Sequence, residues 1–165
     1  MSDKQFQSNP DYISIVTSLT ELHRLIRDGH CDSAEADELR DQMDTPWDRL
    51  TRQEQTRIDG ISADLYTLSD DSPIKHSDRV RYISDAMSEK LAPLILSRSW
   101  ERVLDLLRES PGEISWDLAA QYRAEAYAKL GDGEIAKKFL AEAWRLNPQL
   151  PDLQFVDAGI RGIML

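Results

Sequence analysis

The stretch AYAKLGDGEIAKKFLAEAWRLNP, residues 126–148, constrains the fold more tightly than any other part of the chain. Apolar residues recur at helical spacing on both sides of Leu130-Gly131-Asp132. Gly131 suits the positive φ of a helix stop, and Asp132 or Gly133 begins the next helix, which Asn147-Pro148 closes. Two helices joined by so short a turn must fold back on each other, so the segment predicts an antiparallel hairpin. Its interface follows from side-chain size: Ala124, Ala136 and Ala143 let the backbones approach, while Tyr127 and Leu140 fill the gap between them.

The same punctuation runs along the whole chain. Asn9-Pro10 reads as a helix start, followed by Ile15, Leu19, Leu22 and Ile26 on one stripe and by a stop at Gly29. Asp32-Ser33 with Glu35 opens a second helix, in which Ala36, Leu39 and Met43 make a narrow apolar seam, and Thr45-Pro46 is expected to end it. Thr51 and Glu54 match a capping box, and Ile58, Ile61, Leu65 and Leu68 follow on one face. The polar run SDDSP, residues 69–73, is the clearest linker, which divides the chain into residues 1–70 and 71–165. Beyond it, Val80, Ile83, Met87, Leu91 and Leu94 form one helical stripe, with a kink or interruption expected at Pro93. Ser99 and Ser115 each stand where a helix N-cap belongs, and Pro151 opens a final short helix ending in the apolar GIRGIML. No alternating run of strand length appears, so the expected fold class is all-α.

Charge narrows the range of partners. Residues 1–75 hold 16 acids against 8 bases, and residues 76–165 hold 14 against 12, giving −8 and −2 of the net −10. An acidic chain of this kind repels nucleic acid and anionic lipid, so neither is an expected partner. No apolar run approaches the roughly 20 residues of a membrane span, and the polar start MSDKQFQSNPDYIS does not read as a signal peptide. The single Cys31 leaves no internal disulfide. The expected localisation is cytoplasmic.

Residues 117–150 resemble a tetratricopeptide repeat, a helix–turn–helix unit of 34 residues. Ala124 and Tyr127 correspond to the family's small and tyrosine positions in the first helix, and Leu130, Gly131 and Asp132 to its turn. Ala136, Leu140, Ala143 and Pro148 match its second helix and closing proline, whereas Ala120 and Arg123 depart from the usual tryptophan and leucine. A degenerate unit precedes it, carrying Trp100, Val103 and Leu107. The resemblance implies right-handed stacking of helical hairpins, packed on the N-terminal helices and closed by the helix from Pro151. It also implies a partner groove along the first helix of the repeat, at Leu118, Gln121, Tyr122, Glu125 and Lys129. With Glu125 there and Lys129 its one cation, that groove is not a clamp for a peptide carboxylate. The stretch from about Leu22 to Leu68 resembles uncharacterised bacterial proteins, which implies no activity.

Residues able to carry chemistry are few. His23, His30 and Cys31 lie near one another in sequence and His76 is the remaining imidazole, but no zinc-type spacing connects them. The segment DSAEADELRDQMD, residues 32–44, carries six acids at helical spacing without the alternating ligands or turn glycine of a calcium loop, and so reads as a solvated face. No phosphate-binding glycine loop or nucleophile elbow is present. The expectation is a non-enzymatic interaction or adaptor module, with no metal and no cofactor, that binds a protein partner. Two alternatives stand beside it: a homo-oligomer formed through GIRGIML, and a small helical enzyme using His23, His30 and Cys31.

Overall fold

The computed structural model describes residues 6–69 and 81–148. Within these residues the fold is all-α, with seven α-helices and no strand. They are α1 (Pro10–Arg27), α2 (Ala34–Trp47), α3 (Arg52–Ser69), α4 (Asp85–Leu96), α5 (Trp100–Glu109), α6 (Trp116–Leu130) and α7 (Gly133–Leu146). The chain divides into two compact units, Met1–Asp70 and Asp71–Leu165. Val80, His76, the SDDSP linker beyond Ser69, the helix expected from Pro151 and GIRGIML lie outside the described residues.

In the N-terminal unit α1 is the central helix, packed on both α2 and α3. Tyr12, Ile15, Leu19, Leu22 and Leu25 are buried along it, as are Ile58, Ile61 and Leu65 on α3. Each such side chain removed from water contributes about 1.5–3 kcal/mol, which makes this stripe the main stabilising element of the unit. Against α2 the seam is thin, with Leu22, Leu25 and Ala36 at its centre and Ile26, Leu39 and Met43 half-buried around it. Gly29 takes a φ of +81°, and His30 N–H donates to the Leu25 carbonyl at 2.8 Å, so α1 ends as its sequence predicts. The end of α2 differs from expectation, because the helix continues through Pro46 to Trp47. A proline in the last turn forfeits one hydrogen bond there without disrupting a full turn on either side.

Two helix starts in this unit are joined through one side chain. Asn9 Oδ1 accepts from the Asp11 N–H at 3.0 Å, capping α1, while Asn9 Nδ2 donates to Glu54 Oε1 at 2.8 Å. Glu54 Oε2 in turn accepts from the Thr51 N–H at 2.8 Å, and the Glu54 N–H donates to Thr51 Oγ1 at 3.3 Å. The capping box that opens α3 therefore also holds the cap of α1. Ahead of α1, a 3-10 turn (Phe6–Ser8) is held down by the Arg57 guanidinium, 4.2 Å from the Phe6 ring centroid.

The C-terminal unit is a run of helices in which α4 packs on α5, α5 on α6 and α6 on α7. The connections are short, so each packed pair is antiparallel. Ile83, expected within a helical stripe, lies instead in an isolated antiparallel bridge with Ile114. The Ser115 N–H donates to the Tyr82 carbonyl at 2.7 Å, the Tyr82 N–H to Ser115 Oγ at 3.1 Å, and the Ser84 N–H to the Glu113 carbonyl at 2.8 Å. Ser84 Oγ also caps α4 by accepting from the Met87 N–H at 3.0 Å. The starts of α4 and α6 are thus tied together, which is why α4 begins only at Asp85. Pro93 lies inside α4 on its exposed side, and the helix runs on to Leu96.

Candidate functional site

Helix α6 carries all five residues of the expected groove, and 11 of its 15 residues are buried, as befits a helix enclosed on most sides. One face meets α7. There Tyr127 stacks on Phe139 with ring centroids 5.9 Å apart and planes inclined by 15°, and Ala124, Ala136 and Ala143 have no solvent exposure. Phe139 is also fully enclosed, and Leu140, expected to fill this gap, is buried beside it in sequence. Gly131 ends α6 with a φ of +93°, and the Asp132 N–H donates to the Tyr127 carbonyl at 2.9 Å. From α5, Arg108 Nη2 donates to the Tyr127 hydroxyl at 3.4 Å.

Arg123, a departure from the family pattern, is buried, with its guanidinium 5.2 Å from the Trp116 ring centroid and 5.9 Å from that of Phe139. A planar cation spread over aromatic faces fills space much as an apolar side chain would. Trp116 Nε1 donates to Glu142 Oε1 at 3.0 Å, and Glu142 also accepts from Arg145 Nε at 2.9 Å. That hydrogen bond raises the Arg145 guanidinium further above its already high range.

The expected groove residues divide by exposure. Leu118 and Gln121 are buried, with relative exposures of 4% and 5%; Tyr122 and Glu125 are half-buried; Lys129 is exposed. Tyr122, Glu125 and Lys129 follow at steps of three and four, so they form one accessible strip.

Gln121 lies one turn beyond Asp117, a residue that the sequence reading did not single out. Both are at least nine-tenths buried, and neither Asp117 Oδ1 nor Gln121 Oε1 has a hydrogen-bond partner. Asp117 Oδ2 accepts from Asn147 Nδ2 at 3.2 Å, across the hairpin. A buried acceptor without a donor costs about 1–3 kcal/mol, so two on successive turns of one helix are a feature that packing alone does not favour.

The other candidate residues do not converge. The buried His23 ring meets Tyr66 edge-on at 4.4 Å, whereas His30 is exposed and Cys31 is half-buried. No group of three His, Cys, Asp or Glu side chains among the described residues is arranged to hold a metal ion. The acids of α2 point outward, and Asp37 pairs with Arg40 at 2.8 Å. Among the described residues no helix is long and apolar enough to cross a membrane. Comparison with family models, curated proteins and solved structures finds no match.

Proposed function

We propose that the chain is a non-enzymatic interaction module that receives a protein partner on α6, the first helix of a tetratricopeptide-like hairpin. The observation that carries this reading is the division of α6. Its inner faces are closed by small residues and stacked rings, while Tyr122, Glu125 and Lys129 form a strip left accessible on the same rigid helix. A tyrosine on a rigid element supplies contact area at low entropic cost, as aromatic residues of recognition surfaces do. Support for stacking of repeats comes from the bridge that holds the starts of α4 and α6 together, since each would open one hairpin of the pair. The acidic charge favours a partner with a basic contact surface, met in the cytoplasm.

Affinity purification of the intact chain from its native cell, run beside Tyr122→Ala/Glu125→Ala, tests the reading. A partner that is recovered with the wild type and lost with the double variant supports it. If folded wild type and variant recover identical proteins, the strip is not the binding surface.

A further inference from the structure

We propose that α2 is a charge-loaded strap, which lifts off α1 while α1 and α3 stay folded together and which closes more firmly as ionic strength rises. The device lies in the N-terminal unit and is independent of any partner on α6. Three observations lead to it. First, α2 is held by little apolar surface. Of its 14 residues only Ala36 is buried, and Leu39 and Met43 are half-buried in the seam with Leu22, Leu25 and Ile26 of α1. An alanine methyl and two partly covered side chains remove far less apolar area from water than the buried stripes of α1 and α3, and the free energy follows the area.

Second, the polar bonds of α2 are mostly local. Arg40 pairs with Asp37 on the same helix at 2.8 Å and donates to the Cys31 carbonyl, in the preceding turn, at 2.8 Å. A bond that reaches another helix lies at the C-terminal end, where Gln55 Nε2 of α3 donates to the Trp47 carbonyl at 3.1 Å. By contrast, α1 and α3 share the Asn9–Glu54 tie as well as their buried stripes.

Third, the charge of α2 opposes its own closure. Glu35, Asp37, Glu38, Asp41 and Asp44 stand against Arg40, a net −4 that is half of the −8 on residues 1–75. Asp37 and Asp41 are four residues apart, a like-charge spacing that destabilises a helix. Asp44 lies in the last turn, which has no basic residue to answer the negative end of the helix dipole. The cations near the end of α1 are already matched by acids of their own segment. Arg24 pairs with Glu21 at 2.5 Å and with Asp28 at 3.1 Å, Arg27 lies 3.6 Å from Asp28, and Glu35 acts on Arg24 by charge alone. Repulsion of this kind is screened by salt, so the strap tightens where an attractive ion pair would loosen. When α2 lifts, Leu22, Leu25 and Ile26 lose their cover on that side, so ionic conditions set how often this apolar seam is bared.

Hydrogen exchange of the full chain, expressed as protection relative to intrinsic rates, tests the proposal. It is followed at about 0.01 M and about 0.15 M salt, between which the screening length falls from about 30 Å to about 8 Å. The amides of residues 38–44, clear of both helix ends, are expected to be about tenfold or more less protected than those of residues 15–22 and 58–65. Raising the salt should increase the protection of residues 38–44 by about twofold or more, with a smaller change in the other two sets. Asp41→Lys/Asp44→Lys, at exposed positions, should raise it further at low salt, because cations replace acids in the C-terminal half of the helix. Exchange of residues 38–44 in step with α1 and α3 would overturn the proposal, since α2 would then open only with the whole unit. Fast exchange that neither salt nor the variant slows would overturn it as well, because charge would then have no part in lifting the strap.

Discussion

Glu54 shows how much one side chain can organise. Burial on its own pushes its carboxyl up, but the hydrogen bonds from Asn9 and Thr51 outweigh this and hold it below its ordinary value of 4.5. A carboxyl depressed by folding adds stability that is present above its unfolded value and is lost as pH falls through the lower folded value. Glu54→Gln should therefore lower the urea midpoint near neutral pH, by an amount corresponding to about 1–2 kcal/mol. The difference from wild type should shrink as both proteins are taken into the acid range below the ordinary carboxylate value. A difference independent of pH would show that the charged form of Glu54 has no such part. Half of this arrangement is legible in the sequence, because Thr51 and Glu54 stand three apart as a capping box requires. The bond from Asn9 is not, since nothing local in either segment marks a contact spanning 45 residues.

At the scale of elements, the α6–α7 hairpin is the part that the sequence reveals best. Small residues and a turn glycine report close packing through size and φ, and both are local properties. Gly131→Ala would force a φ of +93° on a residue with a Cβ and should cost about 1–2 kcal/mol in thermal or urea unfolding. Ala136→Leu should cost about 1–3 kcal/mol, because that residue has no exposure and no room for added methylenes. Phe139→Ala should be worse, at about 3–5 kcal/mol, since it removes the ring stacked on Tyr127. If Ala136→Leu is neutral, the helices are not as close as the structure places them. Legibility fails where a residue takes a role outside its element. Ser115 stands in a cap position, yet its hydroxyl accepts from the Tyr82 N–H, and Ile83 belongs to a bridge rather than to the stripe it extends. Arg123 reads as a break in the pattern until its guanidinium is seen over Trp116. Gln121 carries no local signal of burial at all, because a polar residue at a groove position reads as surface.

Considered as a whole molecule, the chain joins an acidic three-helix unit to a second helical unit in which 11 of the 15 residues of α6 are buried. On the proposed reading, enclosure supplies the rigidity of a recognition helix and the strip supplies access. Attraction of a basic partner to a chain of net charge −10 should weaken with added salt, because exposed charges separated by more than about 10 Å are screened at 0.1 M. Complex formation measured across a salt series should therefore fall, and a salt-independent complex would argue for an apolar surface instead. The most direct test of the central claim is site-specific photo-cross-linking in the native cell. A photoreactive amino acid is placed at Lys129, on the strip, and in a second protein at Asp37, on the outer side of α2. The account predicts a discrete cross-linked partner from position 129 that is absent from position 37 and diminished by Tyr122→Ala/Glu125→Ala. The same products from both positions, or none from 129 in a folded protein, would contradict it.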